Sequence, residues 1–248
     1  MFEAVLFDIG NTLVYFRSTR IRELLDAAAR PAYERLAERG FRLPPYPRYA
    51  ARIRRAFILN YIWSRLRGRE TKLIRTLERV HAAMRIDLGE TGVEELARLC
   101  TEGLRPFMHS DPQAVPVLEE LRRAGLKLGI VSNTHFPGFA IDGFLAEEGL
   151  LDFFPVRVYS SDVRFMKPNP RIFQLALERM AVAPGRALFV GDRPDKDVSG
   201  AARVGMRTVL LVGGAEVPNR HGADHVIRSL AELCPLLGCS SPAHASGS

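Results

Sequence analysis

The sequence predicts an α/β protein: a doubly wound parallel sheet, interrupted after its first strand by an inserted all-helical segment. Three observations carry this. From Ser110 onward, short apolar strand patterns alternate with helical ones, as right-handed βαβ crossovers require. Near the start, Ala4-Val5-Leu6-Phe7 ends abruptly in Asp8-Ile9-Gly10-Asn11-Thr12-Leu13, the pattern of a buried strand that delivers one carboxylate to a sheet's carboxyl edge. Between those regions, from about 15 to 105, apolar residues recur only at helical spacing.

In the insertion, Ile21 to Arg30 and Tyr33 to Arg39 carry the helical period. Gly40 ends that helix, and Leu43-Pro44-Pro45-Tyr46-Pro47 cannot continue it. The pattern resumes through Tyr49–Trp63, Thr71–Met84 and Gly92–Cys100. The aromatics Tyr49, Phe57, Tyr61 and Trp63 are expected to form its small core. Beyond it come a helix at Val115–Arg123, a strand at Leu126–Ser132 and a helix at Phe136–Glu148. A strand at Pro155–Tyr159, a helix at Pro170–Met180 and a strand at Ala187–Gly191 follow. The series closes with a short helix at Val198–Val204, a strand at Thr208–Val212 and an edge strand at Asp224–Ile227. The expected domains are 1–15 with 106–238 as the α/β core and 16–105 as the insertion. Residues 239–248, small and polar, read as a disordered tail.

The chain of 248 residues is 47% hydrophobic and 25% charged, an ordinary composition for a soluble globular protein. No apolar run approaches the roughly 18 residues needed to cross a bilayer, and Phe2-Glu3-Ala4 leads straight into the first strand without a cleavable leader. The expectation is a cytoplasmic protein with no membrane partner. Three cysteines (Cys100, Cys234, Cys239), widely spread and without a CxxC pair, argue against a disulfide framework or zinc site. The net charge of +7 concentrates in the insertion, where about 20 Lys/Arg face about 11 Asp/Glu. Such a segment attracts anionic substrates if it faces a pocket and is otherwise a set of solvated helix faces. No nucleic-acid motif is present, and oligomeric state is not legible.

Three strands thus end in polar groups, Asp8, Ser132 and Asp192. Lys167 stands where a helix begins, in Phe165-Met166-Lys167-Pro168-Asn169-Pro170. Carboxylates at adjacent strand ends make a hard-oxygen pocket suited to Mg2+. A lysine, a serine hydroxyl and free N–H groups around Ser132 and Asn133 suit a phosphate. A carboxylate that attacks phosphorus splits one difficult displacement into two easier steps.

At these segments the chain resembles the haloacid dehalogenase-like hydrolase superfamily. The matching motifs are Phe7-Asp8-Ile9-Gly10-Asn11-Thr12-Leu13, Val131-Ser132-Asn133-Thr134, Met166-Lys167-Pro168 and Val190-Gly191-Asp192-Arg193-Pro194-Asp195-Lys196-Asp197. Each alone is weak; the four in order form a specific signal. The resemblance implies a Rossmann-like core with a helical cap of the type inserted after the first strand. It also implies a Mg2+-dependent phosphohydrolase acting on a small phosphorylated metabolite through an aspartyl-phosphate intermediate. Asp8 would be the nucleophile, and Asp8, the Gly10 carbonyl and Asp192 would hold Mg2+. Ser132, Asn133 and Lys167 would bind the phosphoryl group. Thr12 would position the motif's backbone and Asp197 would support Lys167 or a metal-bound water, with Asp195 a spare ligand or a loop cap.

One departure stands out. Family phosphatases usually carry a second aspartate two residues after the nucleophile, as general acid and base; here that residue is Gly10. Such a group typically contributes about 10²–10⁴-fold. The stand-ins considered are His135, Asp195 and the inserted segment. Three alternatives follow from the resemblance and this departure. A dehalogenase would carry a Ser-x-Asn-type fourth motif instead of Gly191-Asp192. A phosphonate hydrolase would need a Schiff-base lysine, for which the insertion offers only Lys72. The third is a catalytically weakened metal- and phosphate-binding module.

Overall fold

The computed structural model describes residues 1–17, 20–67, 72–163, 165–213 and 222–239. The chain divides into two compact units. Unit 1 contains Met1–Tyr15, Ser110–Asn133 and Leu145–Ser248; unit 2 contains Phe16–His109 and Thr134–Phe144. The expected division at 105/106 moves to 109/110, and residues 134–144 group with the helical unit. The reason is local: Phe136 packs on the apolar cluster of unit 2. Of the expected tail 239–248, Cys239 is ordered, its N–H donating to the Cys234 carbonyl at 2.8 Å, and the part from Ser240 on lies outside the described residues.

In chain order the elements begin with β1 (Ala4–Phe7) and β2 (Val14–Phe16), then the helices α1 (Ile21–Glu38), α2 (Tyr46–Arg67), α3 (Leu73–Ala82) and α4 (Gly89–Leu104). Next come β3 (Met108–Ser110), α5 (Ala114–Arg123), β4 (Lys127–Ser132), α6 (Gly138–Glu147) and β5 (Val156–Tyr159). The chain continues with α7 (Pro170–Met180), β6 (Ala187–Gly191), α8 (Ser199–Ala202), β7 (Arg207–Leu211), β8 (His225–Ile227) and α9 (Leu233–Leu237). No helix of the described residues is long and apolar enough to cross a membrane.

Unit 1 is built on a six-stranded sheet in the order β5-β4-β1-β6-β7-β8, with parallel pairing throughout. All four residues of β1 are buried, so the strand reads as continuous apolar sequence rather than alternation. Its two faces still part company: Ala4 and Leu6 join the cluster that holds Phe173 and Phe189, while the Phe7 ring meets Phe154 edge-on at 6.0 Å. Gly200 allows α8 to approach α7. A Cβ there would lie 2.5 Å from the Phe173 ring and 3.0 Å from the Pro168 Cα.

A separate two-stranded sheet pairs β2 with β3. Neither strand is evident in the sequence, because three residues are too few to establish a period of two.

Unit 2 packs α1 to α4 around Ala28, Ala32, Leu36, Ile53, Leu77 and Leu96. α1 runs through Pro31 without a break. Lacking an N–H, Pro31 leaves the Ala27 carbonyl without its helical donor. Gly103 of α4 approaches that carbonyl so closely that a Cβ would sit 2.4 Å from it. Of the expected core aromatics, Tyr49 is fully buried and Phe57 half-buried, but Tyr61 and Trp63 are exposed. Helical spacing alone does not tell an inward stripe from one that points outward.

The unit's core holds one buried polar pair. His81 Nδ1 donates to the Leu77 carbonyl at 2.7 Å, which leaves Nε2 to accept from the Tyr49 hydroxyl at 3.0 Å. Burial pushes the His81 pKa down, against a smaller opposing effect of the Leu77 carbonyl. A depressed folded-state pKa contributes stability that is complete above the unfolded value of about 6.5 and lost as pH falls below it. Urea melts followed by the single tryptophan, Trp63, should therefore show stability falling from pH 7.5 to 5.5. His81→Gln should be less stable at pH 7.5 and should flatten that slope; an unchanged slope would remove His81 as its source.

Candidate functional site

Parallel pairing sets the site. Phe7 lies opposite Ile130 on one side and Val190 on the other, so β1, β4 and β6 end almost level. Asp8 follows directly, and Ser132 and Asp192 stand two residues beyond those partners, so all three lie at one edge where the strand order reverses around β1. The Asp8 N–H donates to the Val190 carbonyl at 2.9 Å, which carries the strand pairing one residue into the site.

Lys167 is the centre of the arrangement. It is only 2% exposed, yet its Nζ lies 2.7 Å from Asp8 Oδ1 and 2.7 Å from Asp197 Oδ1. Neither contact is aligned as a hydrogen bond, but at that separation the charge attraction is strong for both. Burial alone would lower the lysine's pKa. The carboxylates of Asp197 and Asp8 outweigh it, so the pKa is raised and the ammonium persists. The Phe189 ring, 5.3 Å from Nζ, closes the inner side. Asn133 fixes the backbone: its Nδ2 donates to the Lys167 carbonyl at 3.0 Å, and its Oδ1 accepts from the Lys167 N–H at 2.8 Å. The Asn133 side chain is thus engaged in holding Lys167. A phosphate contact at this residue, as the sequence suggested, would fall to its backbone.

Asp197 is almost fully buried. Burial drives its pKa up, Lys167 opposes this and Asp8 adds to it, for a result of about 6. Its second oxygen accepts from the Arg193 N–H at 2.9 Å. This fit requires glycine at 191, where a Cβ would lie 2.4 Å from Asp197 Oδ2.

Asp8, Asp192 and Asp197 each offer an oxygen within 4.8 Å of the others. Burial and then the Asp8 charge raise the Asp192 pKa, while a hydrogen bond from Asn11 Nδ2 at 3.3 Å opposes the rise. Asn11 has a left-handed φ of 55°, which asparagine tolerates. Its contact with Asp192 spans 181 residues and has no sequence signal. Three carboxylates against one ammonium leave an excess of negative charge, and a divalent cation fits that donor set. Asp197 is the most deeply buried of the three, between Lys167 and the Arg193 N–H, so Asp8 and Asp192 are the ligands left for the cation. Gly10 lies in the loop after β1, forming a bridge with Val14.

Other sequence-predicted residues fall as follows. Ser132 is buried at the end of β4. Thr12 is fully buried and its N–H donates to Ile9 at 3.2 Å, but its hydroxyl has no hydrogen-bond partner. Its structural role therefore runs through the backbone. Asp195 is exposed and pairs with Arg193 at 3.1 Å. Burial alone would raise its pKa, but that pairing wins and lowers it, a poor state for a proton donor. It lies outside the three-carboxylate cluster. His135 belongs to unit 2, where its ring meets Phe57 and Tyr61 edge-on. Tyr15, which the sequence does not mark as a site residue, is held protonated by burial, by the charge of Asp111 and its hydrogen bond with it, and by the Asp192 charge, its pKa pushed up to about 12.

Removing the ammonium should be costly. Lys167→Met leaves two carboxylates without their buried counter-ion, which should cost about 3–5 kcal/mol at pH 7. The Asp197 pKa, already near 6, would climb further, so the loss should shrink as pH falls toward 5. Urea unfolding at both pH values measures this, and an equal loss at each would contradict the ion-pair account.

Comparison with known proteins agrees with this geometry. The family model of haloacid dehalogenase-like hydrolases matches residues 2–205. Glyceraldehyde 3-phosphate phosphatase of Methanopyrus kandleri is 41% identical over 113 residues, 45% of each chain. The chain spans about half the length of the glyceraldehyde 3-phosphate phosphatases it matches. Phosphatase MT3486 of Mycobacterium tuberculosis is 32% identical over 160 residues, 64% of this chain and 69% of that one. The crystal structure of a HAD phosphatase from Thermococcus onnurineus is 29% identical with a TM-score of 0.61, covering 96% of this chain and 99% of that one. A match of this extent, on a sheet whose strand ends gather the motif residues, makes this chain a member of the haloacid dehalogenase-like hydrolase family.

Proposed function

We propose that the chain is a Mg2+-dependent phosphohydrolase of a small phosphorylated metabolite, acting through an aspartyl-phosphate on Asp8. The observation that carries this is the Lys167 ammonium held 2.7 Å from both Asp8 and Asp197. It holds the Asp8 carboxylate in place, and it supplies positive charge beside the position a phosphoryl group would take. The phosphatase names of the relatives support the same reading.

An Asp8 carboxylate oxygen would attack phosphorus while the bond to the leaving oxygen breaks. Water would then attack the acyl phosphate and release inorganic phosphate, restoring the carboxylate. Lys167 would bind the phosphoryl oxygens through both steps, assisted by the Ser132 hydroxyl and the Asn133 N–H. Asp197 and the Asn133 side chain act through Lys167, one by charge and the other by fixing its backbone. Mg2+, held by Asp8, Asp192 and the Gly10 carbonyl, would supply charge stabilisation for the transferring group.

The proton for the leaving oxygen is the weak point. Gly10 has no acid to offer, and Asp195 is tied to Arg193. Esters with good leaving groups, which need little protonation, should be the best substrates. Gly10 also favours a second reading, a weakened metal- and phosphate-binding module. An aryl phosphate with Mg2+ separates the two. Wild type should hydrolyse it and Asp8→Asn should not; equal rates in the two proteins, or none in either, would defeat the phosphohydrolase reading. A Cβ at Gly10 meets nothing within 4 Å and its φ is not left-handed, so Gly10→Asp fits. This variant should raise turnover on a poor leaving group by about tenfold or more, within the range of general acid–base catalysis. An unchanged rate would mean that the missing acid is not what limits the enzyme.

A further inference from the structure

Helix α9 ends in a turn that brings two cysteines together. The Cys239 N–H donates to the Cys234 carbonyl at 2.8 Å, and the Gly238 N–H donates to the Pro235 carbonyl at 3.3 Å. Gly238 has a left-handed φ of 71°. These two bonds and that residue make a Schellman turn, in which the side chain after the glycine folds back onto the last turn of the helix. The two side chains that meet in such a turn are here Cys239 and Cys234. With ordinary covalent geometry, the 2.8 Å bond keeps their Cα atoms within about 6.7 Å. That lies inside the range of about 4.4–6.8 Å that a disulfide spans.

The two thiols differ in access. Cys234 is fully buried, so a reagent in water cannot reach it. Cys239 is half-buried, with its Sγ 3.9 Å from the Leu237 carbonyl and therefore over the turn. Burial and then the charge of Cys239 push the Cys234 pKa up to about 11, and burial followed by the Glu120 charge raises that of Cys239. The two sulfurs thus lie within each other's electrostatic reach. Neither is stabilised as a thiolate, so the reduced pair has no such advantage over a disulfide. Cys100 is set apart from both, buried in the core of unit 2.

We propose that Cys234 and Cys239 form a dithiol site that a small-molecule disulfide oxidises to an intrachain disulfide. The Cys239 thiolate attacks the external disulfide, whose S–S bond breaks; one small thiol leaves and a mixed disulfide remains on Cys239. Cys234 then gives up its proton and attacks the Cys239 sulfur, which expels the second small thiol. Both cysteine sulfurs are oxidised, the external disulfide is reduced, and the two cysteine protons end on the two released thiols. The site uses none of the residues assigned to the Asp8 chemistry and does not depend on it.

Equilibration of the folded full chain in buffers of reduced and oxidised glutathione, followed by acid quenching and peptide mass spectrometry, tests this. Wild type should reach a disulfide between Cys234 and Cys239, with Cys100 still a free thiol and no glutathione retained. Cys234→Ala should stop at glutathione-bound Cys239, because the second thiol is gone. Cys239→Ser should take up almost none, because Cys234 is out of reach. Gly238→Val strains the left-handed position and should lower the equilibrium constant for closing the disulfide about tenfold. It keeps both thiols, so it tests the turn itself if a cysteine variant misfolds. A lasting glutathione adduct on wild-type Cys239, no reaction at either cysteine, or a disulfide between two chains would overturn the proposal. So would a closing constant that Gly238→Val leaves unchanged.

Discussion

The active end of this protein depends on keeping one ammonium charged where water is almost excluded. An isolated buried lysine gives up its proton, because desolvation penalises the charged form. Lys167 keeps it only because two carboxylates stand 2.7 Å away. Each neighbour then takes its shape from that need. Asp8 arrives on the central strand, Asp197 from the turn after β6, and Asn133 holds the lysine's own peptide groups in place.

The charges do not balance without help. Asp192 joins the other two carboxylates within 4.8 Å, and Asp8 and burial both raise its pKa. Repulsion of this kind is unfavourable in an empty pocket and favourable once a cation is bound. The same excess makes the glycine at position 10 intelligible in electrostatic terms. It spares the site a fourth carboxylate, and it leaves the chemistry short of a proton carrier.

How much of this could be read from the sequence follows from what each residue does. Asp8, Ser132 and Asp192 were legible because a polar residue that terminates an apolar run stands out, and parallel strands put such residues at one edge. Lys167 was legible through its motif. The Asn133 segment offers free N–H groups to a phosphate in the sequence, but the clasp of its side chain on the Lys167 backbone, a pairing across 34 residues, is encoded by no local pattern. Asn11 on Asp192 and Tyr15 on Asp111 are of the same kind. Phe136 looked like the opening of a crossover helix because its apolar character says that it packs, without saying on which core. Tyr61 and Trp63 show the opposite failure, with apolar bulk at helical spacing that faces outward.

Gly191 shows how far these demands reach. It has no reactive atom, yet the space a methyl group would fill there is already taken by the Asp197 carboxylate. Any larger residue would evict that acid and strip the lysine of half its counter-charge. The position should therefore tolerate exchange as poorly as the acids around it, for reasons of room rather than reactivity. A silent backbone position thereby becomes a hostage of the site's electrostatics.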